Sequence, residues 1–196
     1  MLWKYTTPGI PDNLFEQLPG IYLTSREIRI LILSALRLEA NSVIWDIGAG
    51  TGTIPVEAGL LSPNAQIVAI ERDEEVANLI RRNCNRFQVK NVNVIEGNAP
   101  ECLTEMSPPP DRICIEGSRS MKEIIHTVWP KLKTKGRLVL TANNLETLYQ
   151  ISEALKEVQA IQVEIIQGAI NRLQTQGISQ SLKATDPVFI ISGEKA

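Results

Sequence analysis

Apolar positions along the chain fall into two kinds of stretch. Short runs rich in Val and Ile occupy residues 42–48 (SVIWDIG), 66–71 (QIVAIE), 92–95 (VNVI), 112–116 (RICIE) and 136–141 (GRLVLT). Runs this short and β-branched predict strands, and most lack a polar alternate, which predicts a sheet covered on both faces. Between them, apolar residues recur every three or four positions. Residues 24–36 carry Ile28, Leu31, Ile32, Ala35 and Leu36 at helical spacing, and Thr24 with Glu27 three places later has the form of a capping box. Helices are also expected over residues 53–61, with Pro55 in the first turn, and from Asp73 as N-cap through Phe87, with Val76, Leu79, Ile80 and Cys84 on one face. Further helices are expected over 101–106, 121–132 and 145–157.

Residues 161–170 and 187–192 predict two closing strands, joined by a polar loop over 171–186. Pro8, Gly9, Pro11, Pro19 and Gly20 break up residues 1–23, which predicts an extended arm ahead of one domain over 24–196. Strand–helix alternation implies an α/β fold: a doubly wound, mostly parallel seven-stranded sheet with a C-terminal antiparallel strand.

Doubly wound sheets bind ligands beyond the carboxyl ends of their strands, where strand order reverses. The first strand here ends in Asp46, Ile47, Gly48, Ala49, Gly50, Thr51, Gly52 and Thr53. Glycines let the main chain bend tightly and approach a ligand, and the helix that follows offers free N–H groups. A dinucleotide fingerprint needs a third glycine at position 53, which is Thr53. G-x-G-x-G with an acid two residues ahead is the pattern for S-adenosylmethionine, whose methionine ammonium Asp46 can balance. Glu71 closes the second strand, where a carboxylate can accept both ribose hydroxyls. After the third strand, Asn98 reads equally as a turn residue or as an uncharged acceptor for adenine, with the backbone of Ala99 as the other adenine contact.

Composition narrows the classes. The 196 residues are 43% hydrophobic and 21% charged with a net charge of -2, an ordinary globular balance that gives no support to a nucleic-acid binder. Cys84, Cys102 and Cys114 have no disulfide or zinc spacing, and no apolar run approaches the ~20 residues of a membrane span. A reduced, cytoplasmic protein without signal peptide or membrane segment is expected. His126 reads as structural, Trp45 and Trp129 as core or interface residues, and no metal-ligand cluster is visible.

Several segments together are more specific than the glycine loop. Pro8-Gly9-Ile10-Pro11-Asp12, Leu23-Thr24-Ser25-Arg26-Glu27, Asp46 to Gly52, Glu96 to Glu101, Ile115 to Ser118, Leu132 to Arg137, Asn171-Arg172 and Pro187-Val188-Phe189 resemble the decarboxylating cobalt-precorrin C-15 methyltransferases of cobalamin synthesis. The resemblance covers nearly the whole chain. It implies methylation of C-15 of a cobalt-bound tetrapyrrole, loss of CO2 from the ring C acetate, and a homo-tetramer. It also implies cofactor contacts at Thr24, the Gly48–Gly52 backbone, Glu71 and Ala99. The family often has Asp where Asn98 stands and glycine where Glu116 stands, and the second difference puts a carboxylate close to the expected substrate mouth. For the carboxylate-rich substrate, Gly117 and Ser118 are expected at the site floor, and Arg119, Asn171 and Arg172 nearby, since Arg grips carboxylates in bidentate fashion. Lys122 reads as a surface charge. No residue is marked as a general acid or base. The rival readings are a methyltransferase acting on RNA or another substrate, and a non-catalytic module that binds the cofactor.

Overall fold

The computed structural model describes residues 2–117 and 120–196. Seven strands form one sheet: β1 (Val43–Ile47), β2 (Gln66–Glu71), β3 (Val92–Glu96), β4 (Arg112–Ile115), β5 (Arg137–Ala142), β6 (Ile161–Gly168) and, after two strands described below, β9 (Val188–Glu194). Their spatial order is β3-β2-β1-β4-β5-β9-β6. β1 pairs in parallel with both β2 and β4, so strand order reverses at the β1/β4 boundary. β9 runs antiparallel between β5 and β6. The seven-stranded, mostly parallel sheet closed by an antiparallel strand matches the expectation from the sequence.

Helices cover both faces. All five residues of β1 are buried, as are all six of β5, which explains their unbroken apolar character. α1 (Arg26–Leu36) and α2 (Thr53–Leu61) bury Ile28, Ile32, Leu36 and Ile54 against Ile44, Cys114 and Val139. α4 (Met121–Val128) and α5 (Leu145–Glu157) bury Ile124, Ile125, Ile151 and Leu155 against Trp45, Ile113 and Leu138 on the other face. α3 (Glu74–Phe87) begins as the sequence predicts: the Asp73 carboxylate accepts from the amides of Glu75 at 2.9 Å and Val76 at 3.1 Å.

Three expectations are corrected. α1 starts at Arg26 with Ser25 as N-cap and no side-chain cap; Thr24 turns its hydroxyl to Glu116 and Glu27 pairs with Arg172, so no capping box forms. The polar loop over 171–186 is a hairpin of β7 (Asn171–Gln176) and β8 (Ser179–Ala184), paired apart from the main sheet. Its apolar residues are too few and too exposed to betray strands. The helix expected to run to 132 ends at Val128.

The arm is pinned. Ile10 and Phe15 are buried, and the amides of Gly9 and Ile10 donate to the Glu57 carboxylate at 2.8 and 2.9 Å. Arg29, also fully buried, pairs with Glu57 and donates to the carbonyls of Thr24 and Ile10. A buried ion pair needs such additional hydrogen bonds to offset desolvation.

Candidate active site

Beyond the carboxyl ends of β1, β2, β3 and β4 lies a cleft of about 600 Å³, within the range of small-molecule sites. It opens where strand order reverses. Its walls include Thr24, Gly48, Ala49, Gly50, Glu71, Asn98, Ala99, Glu116 and Gly117.

The glycine loop is shaped by close approaches. Gly48 has φ +77°, and a Cβ there would come within 2.4 Å of the Glu116 carbonyl oxygen. Gly50 has φ +53°, with the Tyr22 carbonyl oxygen 3.1 Å from a Cβ. Thr51 donates from its hydroxyl to the same Tyr22 carbonyl at 2.9 Å, which fastens the arm over the loop. Glu71 is also held by main-chain donors: one oxygen accepts from the Gly50 amide at 3.1 Å, the other from the Arg72 amide at 2.9 Å. The amide of Asn98 donates from its side chain to Glu101 at 2.7 Å.

Eight of the residues singled out from sequence therefore share the cleft: Thr24, Gly48, Ala49, Gly50, Glu71, Asn98, Ala99 and Gly117. Asp46, Thr51 and Gly52 lie behind its wall; a Cβ at Gly52 would press on Ile80 at 2.9 Å. Asn171 and Arg172 are not among the lining residues. Arg172 instead donates to Asp12 at 3.0 Å and to Glu27. Lys122 is bound to Glu153 and Glu157 on the surface, as read. Ser118 and Arg119 lie outside the described residues.

The sequence reading missed Tyr22 as part of the cleft, and it placed the Glu116 carboxylate close to the substrate mouth; both line the cleft. Tyr22 sits in the arm, where no periodicity places it. Glu116 follows β4, where strand ends at a reversal point face the ligand. Its carboxylate accepts the Thr24 hydroxyl at 2.9 Å and is 6% exposed. Burial pushes its pKa up to about 7, although the Thr24 hydrogen bond and the charge of Arg29 oppose the rise. Asp46 is fully buried; among the described residues no nitrogen or oxygen donor reaches its carboxylate, and the Cys114 thiol is the weak donor beside it. Burial, then the charge of Glu116, holds its pKa well above the ordinary carboxylate value. Burial and the charge of Glu116 also push Tyr22 up to about 12.

A doubly wound sheet with a glycine loop and an acid-walled cleft at its reversal point defines a class, the Rossmann-like methyltransferases. Within that class, residues 15–195 match the precorrin methyltransferase domain, and the chain belongs to that family. It is 41% identical over its full length to a full-length protein of Saccharolobus solfataricus named "Probable cobalt-precorrin-6B C(15)-methyltransferase (decarboxylating)". Among solved structures, it resembles the precorrin-6y C5,15-methyltransferase of Geobacter metallireducens, with a TM-score of 0.90, 36% identity, and 98% of this chain and 100% of that chain covered. It also resembles precorrin 8W decarboxylase of Methanobacterium thermoautotrophicum, with a TM-score of 0.86, 31% identity, and coverage of 94% and 98%. No helix among the described residues is long and apolar enough to cross a membrane.

Proposed function

We propose that the chain is an S-adenosylmethionine-dependent C-methyltransferase that methylates C-15 of a cobalt-precorrin and releases the ring C acetate carboxyl as CO2, in cytoplasmic cobalamin synthesis. The observation that carries the reading is the cleft itself: a main-chain cradle of Gly48, Ala49 and Gly50 between the carboxylates of Glu71 and Glu116. The donor set fits the cofactor. Glu71 stands at the end of β2, placed to accept sugar hydroxyls in exchange for its present amide donors. The acids Asp46 and Glu116 supply negative charge for a ligand that is cationic at its methionine end. Ala99 and Asn98 border the cleft on the side of β3, where an adenine would lie.

When bound, the cofactor supplies an already activated methyl group, so the chain's task is alignment and exclusion of water. The main chain of Gly48, Ala49 and Gly50 with Glu71 would hold the cofactor so that its methyl group faces the macrocycle's carbon. Decarboxylation leaves its electron pair in the conjugated ring system. Gly117 borders the cleft, and we assign Gly117, Ser118 and Arg119 to the tetrapyrrole side. A homo-tetramer is part of the same reading and is supported by the exposed apolar residues of β6 and of the β7–β8 hairpin.

Calorimetry tests the cofactor. Gly50→Asp puts a side chain and a negative charge where the backbone has φ +53° and the Tyr22 carbonyl is close. Binding of S-adenosylmethionine should disappear in this variant and persist in the parent; retained affinity overturns the site. Mass spectrometry of a precorrin mixture incubated with labelled cofactor tests the substrate. A product heavier by one labelled methyl and lighter by CO2 is expected.

A further inference from the structure

Asn83 on α3 is fully buried, yet it is not among the residues that line the cleft. Its side-chain amide makes three hydrogen bonds, all to main chain far away in sequence. Oδ1 accepts from the Glu16 amide at 2.8 Å; Nδ2 donates to the Glu16 carbonyl at 3.0 Å and to the Thr51 carbonyl at 2.9 Å. One side chain therefore joins α3, the arm and the glycine loop. Among side chains of this size only the asparagine amide fits, because the three partners ask for one acceptor and two donors from a single planar group. A carboxylate there would face two carbonyls with no hydrogen to offer. An apolar side chain would leave three buried main-chain groups without partners.

Thr51 is gripped on both of its peptide groups. Its amide donates to the Tyr22 carbonyl at 3.4 Å and its hydroxyl to the same carbonyl at 2.9 Å, while its own carbonyl is held by Asn83. At the other end of the loop, the amides of Gly48 and Ala49 donate to the Ile70 carbonyl at 3.0 and 3.2 Å. The cradle of Gly48, Ala49 and Gly50 is thus tied at both ends, and Asn83 is the tie on the α3 side. Packing around Asn83 supports the same parts. Gly52 sits against Ile80, one turn before it on α3, and Phe87, one turn after it, packs on Phe15 of the arm with ring centroids 4.8 Å apart.

We infer that Asn83 is a positioning residue of the cofactor site: through the Thr51 carbonyl it holds the glycine loop in its binding shape, and through Glu16 it makes the arm part of that support. A loop that is already ordered gives up less conformational freedom when a ligand settles on it, so the grip strengthens binding without touching the ligand. The inference rests on the cofactor reading above. Arg86 supplies the control. Its Nε donates to the Leu14 carbonyl at 2.7 Å, which ties α3 to the arm and not to the loop.

The experiment is titration calorimetry of S-adenosylmethionine with the parent, Asn83→Leu and Arg86→Gln, each well below its own melting temperature. Kd should rise roughly 5- to 50-fold in Asn83→Leu and stay within about two-fold in Arg86→Gln. A merely structural asparagine would lower the melting temperature and leave the Kd of the folded protein unchanged. That result, or an equal loss of affinity in both variants, overturns the role and leaves the cofactor reading standing. Absence of binding by the parent overturns both. Should Asn83→Leu not fold, amide exchange in the ligand-free parent decides. The amides of Glu16 and Thr51 should open together, with protection equal to within about three-fold; a Glu16 amide that opens roughly 100-fold more often shows the arm leaving without the loop and overturns the grip.

Discussion

The carboxyl of Glu116 has a consequence for stability as well as for binding. An acid whose pKa is raised by folding binds its proton more tightly in the native state than in the unfolded one. For Glu116 the window runs from the unfolded value of 4.5 to about 7. Below it both states are protonated and there is no difference; within it only the unfolded chain ionises, so native stability falls as pH rises. Ligand-free protein should therefore melt at progressively lower temperature from pH 5 to 7, and Glu116→Gln should flatten that slope. A steeper slope in the variant would contradict the assignment. Glu27 works in the opposite sense. Burial alone would raise its pKa, but hydrogen bonds from Arg172 and Arg26 hold it at about 2, so its contribution is present above the ordinary range and is lost as pH falls towards 2. Glu71 is tested differently: Glu71→Ala should weaken cofactor binding by about 1–3 kcal/mol by removing a charged acceptor, read as a Kd raised by roughly 5- to 150-fold. An unchanged Kd removes Glu71 from the site.

Two elements show why some of the architecture was legible in the sequence and some was not. β1 and its loop were legible because a run of buried residues and three glycines at fixed spacing have one physical reading: a central strand feeding a tight turn into a helix. The same logic located Glu71 and the cleft. The arm and the β7–β8 hairpin were not legible as packed elements, because polar long-range contacts hold them. Gly9 and Ile10 are anchored by Glu57, 48 and 47 residues away, and Arg172 reaches Asp12 across 160 residues. No local pattern encodes such pairings, and Arg172, read as a substrate ligand, forms a latch between hairpin, arm and α1. Each half of that latch is worth about 0.2–1 kcal/mol. Arg172→Ala should therefore speed amide exchange in the hairpin by roughly 2- to 30-fold, without matching change in β1 or β4. The arm's anchor is stronger. Glu57→Gln takes from the buried Arg29 its nearer and more buried carboxylate, leaving only Asp12, and should cost about 3–5 kcal/mol, seen as a melting temperature lower by roughly 6–20 °C. A shift within 2 °C would mean the pair is dispensable.

The molecule as a whole is asymmetric. One edge of the sheet, at β3, lies beside the cleft, while the other, β6, is bare. Seven of the eight residues of β6 are exposed. Ile165 and Ile166 are adjacent and so point to opposite faces of the sheet, yet they are 47% and 44% exposed, which means that neither face of this edge is covered within the chain. Nearby on the hairpin, Leu173 and Leu182 are also exposed, at 59% and 70%. An uncovered apolar edge strand recruits other strands unless a partner occupies it. In the tetramer proposed above, copies of the chain occupy it. The position also leaves the catalytic cleft free, since none of the residues lining the cleft belongs to β6 or the hairpin. Assembly and cofactor binding should accordingly be separable. Ile165→Lys places a charge in the middle of the bare strand and should shift the mass measured by light scattering from a multiple of the chain's 21.7 kDa towards that single-chain value. Affinity for S-adenosylmethionine should stay within about two-fold, because the substitution lies on the opposite edge from β3. A parent protein that is already monomeric at micromolar concentration would refute self-association through β6, and a variant that loses cofactor binding along with its partners would show that the cleft depends on the assembly.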